Sequence, residues 1–130
     1  MITLATMAAC TTEQTPIENT EWKLVELYGK SNELFAAEPD SFFFQLSTEN
    51  GLNGVGACNR FFGNYTLSAI DSILIEPQGL TRMMCPNIDL EDEFVKMFYE
   101  VNTYAIDKGC LTLFNEGVKV AEFEAVAAEK

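Results

Sequence analysis

The sequence predicts an α+β domain: a small curved antiparallel β-sheet, or a barrel-like sheet, with one packed helix. Three observations predict it. Short stretches of period-two apolar alternation recur along the chain. Turns rich in Gly, Asn and Pro separate them. One segment, from Leu90 onward, carries apolar residues at helical spacing instead.

Taken in order, "EWKLVELY" (21–28) reads as a strand, with Trp22 and Leu24 alternating against Lys23 and Trp22 expected in the core. "GKSNELFAAEPD" (29–40) reads as a loop. "SFFFQLS" (41–47) places Phe42, Phe44 and Leu46 on one face. "TENGLNG" (48–54) reads as a hairpin turn. "VGACNRFFGNYTLS" (55–68) reads as a strand, a Gly-containing irregularity and a further strand, and "ILIE" (73–76) as a short strand closed by Pro77 and Gly79. Phe94, Met97, Phe98, Val101 and Tyr104 form a helical stripe that covers the sheet. Asp89 is its candidate N-cap, and the "DLEDE" run (89–93) reads as a solvated helix start favoured by the helix dipole. "TYAI" (103–106), "CLTLF" (110–114) and "VKVAEFE" (118–124) form a hairpin series through the turns "DKG" and "NEG". The expected total is about seven short strands and one helix.

Composition narrows the function classes. A chain of 130 residues suits one domain with a single core. Twenty Asp and Glu against eight Lys and Arg leave a formal charge of −12, which repels a phosphate backbone. No nucleic-acid partner is expected, and the same field disfavours docking of the folded domain on anionic lipid. Histidine is absent, which removes Ser-His-Asp triads, Cys-His dyads and the commonest metal ligand. None of Cys10, Cys58, Cys85 and Cys110 forms a C-x-x-C pair, so zinc-knuckle and thioredoxin-type motifs are absent. No catalytic residue, metal ligand or cofactor is assigned.

The first ten residues, "MITLATMAAC", resemble the end of a bacterial lipoprotein signal peptide. Small residues precede Cys10, which would carry the lipid. Residues 11–20, "TTEQTPIENT", then read as a polar tether, 21–124 as the folded domain and 125–130 as a fraying tail.

The domain itself resembles a known family. Trp22-x-Leu24 opens it, "SFFF" precedes a Gly-rich turn, and the stretch 56–65 supplies Gly56, Cys58, Asn59, Arg60, Gly63 and Tyr65. "TRMMC" follows with Thr81, Arg82, Met83 and Cys85, then a helix with an acidic start and Phe94. Tyr104-x-Ile106 and Leu111-x-Leu113 complete the pattern. Together these resemble the META domain, the family of the heat-inducible HslJ lipoproteins, over residues 21–124. Ala57 departs from it, where the family usually has glycine. The resemblance implies a curved antiparallel sheet with a packed helix. It also implies a bacterial envelope lipoprotein, linked in some members to heat or antibiotic stress, with no established catalytic mechanism.

The two Cys/Arg motifs admit three readings. A reactive thiol needs a base or a depressed pKa; with no histidine, Arg60 and Arg82 are the only neighbours in sequence that supply charge. A metal site of Cys58, Cys85 and Cys110 lacks tight spacing. The reading favoured here is a Cys58–Cys85 disulfide in an exported chain, against reduced and buried thiols. With Cys10 lipidated, one intramolecular bond at most is expected, and the two arginines would orient carboxylates or carbonyls around it. The expected function is that of a non-enzymatic envelope lipoprotein. It would be a monomer, anchored to the outer membrane on its periplasmic or surface side and acting on an envelope protein or small ligand. The alternative is a module that binds a small molecule or peptide in an aromatic cleft of Tyr28, Phe61, Phe62 and Tyr65.

Overall fold

The computed structural model describes residues 16–30 and 41–126. Cys10, residues 11–15 of the tether, residues 31–40 of the first loop and 127–130 of the tail lie outside the described residues.

Eight strands and one helix are described: β1 (Glu21–Leu27), β2 (Phe43–Leu46), β3 (Gly51–Val55), β4 (Arg60–Ser68), β5 (Ser72–Leu80), α1 (Ile88–Glu100), β6 (Thr103–Asp107), β7 (Cys110–Asn115) and β8 (Val118–Ala125). Each strand pairs antiparallel with the next, and β8 returns to β1 from Trp22↔Ala125 to Leu27↔Ala121, closing the sheet into a barrel. A closed sheet leaves no edge to manage. The closure is thinnest between β5 and β6, which share one register pair, Ser72↔Thr103. The Ile73 N–H donates to the Asn102 carbonyl and the Tyr104 N–H to the Asp71 carbonyl on either side of it. The chain inserts α1 at this seam.

The core is aromatic. Trp22, Phe42, Phe44, Phe61, Phe94, Phe98 and Phe123 are all buried. Phe94 of α1 sits edge-on to Phe42 and Phe98, with ring centroids 5.7 and 5.2 Å away, and Phe98 meets Phe44 at 5.0 Å. These are favourable aromatic geometries, and they fasten the helix to the barrel interior. The sole tryptophan is buried as expected, and its indole N–H donates to the Ile17 carbonyl at 3.0 Å. Residues 16–20 therefore pack on the barrel rather than hanging as a tether. Ile17 is buried, Glu18 bridges to Leu46, and the Asn19 N–H donates to the Leu46 carbonyl.

Two local expectations are corrected. The turn assigned to 48–54 is shorter: β3 begins at Gly51 and pairs with both β2 and β4. Its Gly54 looked like turn chemistry but serves packing, because a Cβ there would lie 2.3 Å from the Phe61 ring. The helix starts earlier than Leu90 implied. Asn87 is the N-cap, with no side-chain capping bond, and the Leu90 and Glu91 N–H groups donate to its carbonyl. It ends at Glu100, so Tyr104 lies on β6 and not on the helical stripe.

Candidate functional site

Strand β4 begins at Arg60, inside the first Cys/Arg motif and two residues after Cys58, and β5 ends at Leu80, directly before the second. Adjacent pairing of these strands, with Phe61 opposite Leu80, brings the two motifs together. Cys58 and Cys85 are disulfide-bonded with Cα atoms 6.4 Å apart, inside the span that such a bond bridges. The thiols read from sequence as a pair are a pair. Cys110 opens β7.

Beside the bond lies a polar knot. Glu91 of α1 is 1% exposed. Its Oε1 accepts from the Cys58 N–H at 3.0 Å and the Asn59 N–H at 2.8 Å, and its Oε2 accepts from Asn59 Nδ2 at 2.7 Å. Asn59, also buried, uses its whole amide. Nδ2 also donates to the Met83 carbonyl at 2.8 Å, while Oδ1 accepts from the Thr81 hydroxyl at 2.8 Å and the Met83 N–H at 2.6 Å. Thr81 Oγ1 in turn accepts from the Arg60 N–H. A buried carboxylate is tolerable only when hydrogen-bonded in this way. No buried side-chain N or O among the described residues lacks a partner.

Gly56 belongs to the same construction. A Cβ there would stand 2.5 Å from Glu91 Cγ, so only glycine lets the carboxylate pass beneath the motif. Gly63 acts elsewhere. It sits at a bulge against β5, where a Cβ would lie 2.1 Å from the Glu76 carbonyl oxygen.

Several sequence-derived roles are corrected here. Glu91 was expected to be part of a solvated helix start, yet it is the hub of the knot. Its signal was its phase, since it precedes Phe94 by three residues and Phe98 by seven, on the buried stripe. Arg60 and Arg82 are exposed, and neither guanidinium makes an ion pair or hydrogen bond among the described residues. Backbone alternation explains Arg60, which points outward between inward Asn59 and Phe61. Met83 contributes through its main chain, while its side chain and that of Met84 are exposed.

The four aromatics Tyr28, Phe61, Phe62 and Tyr65 do not gather in one cleft. Phe61 and Tyr65 are buried inside the barrel, whereas Phe62 points outward over Gly79. The Tyr65 hydroxyl lies 2.5 Å from both Glu18 Oε2 and the Ser47 carbonyl. Tyr28 donates to Glu100 Oε1 at 2.7 Å. Both phenols are raised well above the usual tyrosine range, first by burial and then by the carboxylate each one faces. These tyrosines are fastenings, not a lining. Phe61 and Phe62 line a surface groove with Phe43, Asn53 and Arg60, while the grooves next to the clamp share Leu80 and Arg82 and run along α1.

The arrangement can hold two strand ends and a helix in fixed register. Among the described residues, no helix is long and apolar enough to cross a membrane.

Comparison with known proteins agrees with this fold. One solved structure, a DUF4847 family protein from Bacteroides vulgatus ATCC 8482, superposes with a TM-score of 0.66 at 17% identity, covering 88% of this chain and 96% of that one. A protein from Burkholderia xenovorans solved by NMR gives 0.65 at 19% identity, covering 85% and 84%. A further NMR structure gives 0.61 at 22% identity, covering 83% and 90%. At these identities the likeness is one of fold. A search of curated proteins gives no match. The family model of the META domain matches residues 15–127, nearly the whole chain and every residue of the clamp, and the chain belongs to the META domain family.

Proposed function

We propose that this chain is an exported, non-catalytic META-domain protein of the bacterial envelope, tethered by lipid at Cys10 and acting by contact with other envelope components under stress. The observation that carries the reading is the Cys58–Cys85 disulfide set beside the Glu91 knot. Such bonds form and persist in oxidising compartments, and this one closes the loop between two strands instead of facing a catalytic base. The lipobox-like Met7-Ala8-Ala9-Cys10 supports the anchor, and the family resemblance supports the link to heat or antibiotic stress.

The experiment is expression of the full chain in bacterial cells, followed by fractionation, thiol alkylation and intact-mass measurement. The expected result is an envelope-bound protein with a lipid mass increment, with Cys58 and Cys85 resisting alkylation until reductant is added. Cys10→Ser should release it from the membrane. Identical fractionation of wild type and Cys10→Ser would remove the anchor. Recovery in the cytoplasm with both clamp cysteines alkylated would remove export.

A further inference from the structure

We propose that the clamp, once reduced, is a ready-made site for one thiophilic divalent cation of the zinc class, held by Cys58, Cys85 and Glu91. Three potential ligand atoms, the two sulfurs and a Glu91 carboxylate oxygen, lie within 4.8 Å of one another. Thiolates with a carboxylate are an established donor set for Zn²⁺, and water completes a tetrahedron. Sequence spacing gave no hint of this, because the third ligand comes from a helix and the two cysteines stand 27 residues apart.

The bonds that hold this geometry do not involve sulfur. Glu91 is tied to the Cys58 and Asn59 N–H groups, and Asn59 is tied to the Met83 N–H and carbonyl. Thr81 and Arg60 pair by two further hydrogen bonds. Breaking the S–S bond leaves every one of these in place. The two thiols then stay at the ends of a fixed frame with Cα atoms about 6.4 Å apart, as chelation requires. Glu91 accepts three hydrogen bonds, while a carboxylate offers about four lone-pair sites. One site remains for the metal. Both cysteines are half-buried, so a small reductant and an ion have access.

The chemistry balances as follows. Two equivalents of a small thiol reduce the disulfide, giving Cys58 and Cys85 as thiols and one oxidised reductant disulfide. One divalent cation then displaces the two thiol protons and binds both thiolates. The pair is thus a covalent clamp under oxidising conditions and a metal clamp under reducing ones.

The test uses the full chain, reduced with a phosphine and titrated with Co²⁺, with Zn²⁺ as competitor. The expected result is retention of near-ultraviolet circular dichroism on reduction, then one Co²⁺ bound with a thiolate charge-transfer band that Zn²⁺ abolishes. The band should be missing from the oxidised protein and from Cys58→Ser and Cys85→Ser. It should persist in Cys10→Ser and Cys110→Ser. Glu91→Asp, with a shorter reach, should keep the band but bind Co²⁺ more weakly. Loss of the near-ultraviolet signal on reduction, absence of the band, or its survival in Cys58→Ser would each overturn the site. Unchanged affinity in Glu91→Asp would overturn the assignment of Glu91 as a ligand.

Discussion

Single residues decide what the two motifs mean. Asn59 matters more than the arginines beside the cysteines, because it commits every donor and acceptor of its amide to the junction. Tyr65 behaves alike at the other side of the barrel, where its buried phenol joins Glu18 to the Ser47 main chain. This gives a pH prediction. The Tyr65 pKa is raised in the folded protein above its ordinary value of 10.0, so the native state binds more protons than the unfolded state above that pH. Its contribution is complete below pH 10 and is lost as pH climbs toward the folded value. Tyr28 acts in the same direction. Urea unfolding between pH 8 and 11 should show stability falling above about pH 10. Tyr65→Phe should flatten that fall, and an unaltered slope would mean that the phenol is not the group responsible.

At the scale of elements, the legible parts of the sequence were those whose chemistry is local. The turns at Lys108-Gly109 and Glu116-Gly117 have positive φ at both residues, the mirror-image hairpin geometry that such tight connections favour. Asp-Lys-Gly and Asn-Glu-Gly announced them. The strands at Phe44, Leu111 and Phe123 were legible from alternation, and α1 from its stripe. The strand β3 was hidden because "GLNGV" carries turn residues for a packing reason that only its neighbour Phe61 explains. Glu91 was hidden because a charge inside an acidic run looks solvated until its partners, which lie more than thirty residues earlier, are folded onto it. Close approach also separates two kinds of glycine. Gly63→Ala must force β4 away from the β5 main chain and should cost about 1–3 kcal/mol. Gly117→Ala meets nothing within 4 Å but must hold φ +84°, and should cost only about 1 kcal/mol. Equal unfolding midpoints for the two variants would contradict the close contact at the β4–β5 bulge.

For the molecule as a whole, the barrel is closed by pairing at seven seams and by a single register pair at the eighth, between β5 and β6. The clamp joins the chain just before β4 and just after β5 to α1, and so fixes the helix whose Phe94 and Phe98 pack in the barrel core. A protein organised this way uses its buried polar chemistry to hold its shape. Glu91, with Asn59, holds the two motifs and the helix together, and the exposed arginines do not. The most direct measurement is equilibrium urea unfolding of the oxidised Glu91→Ala protein beside Arg60→Ala and Arg82→Ala. Removing Glu91 strands the buried Asn59 N–H, the part-buried Cys58 N–H and one amide donor, and should destabilise the fold by about 3 kcal/mol or more. Each arginine variant should stay within about 0.5 kcal/mol of wild type. A loss below about 1 kcal/mol for Glu91→Ala, or a larger loss for either arginine, would contradict the account.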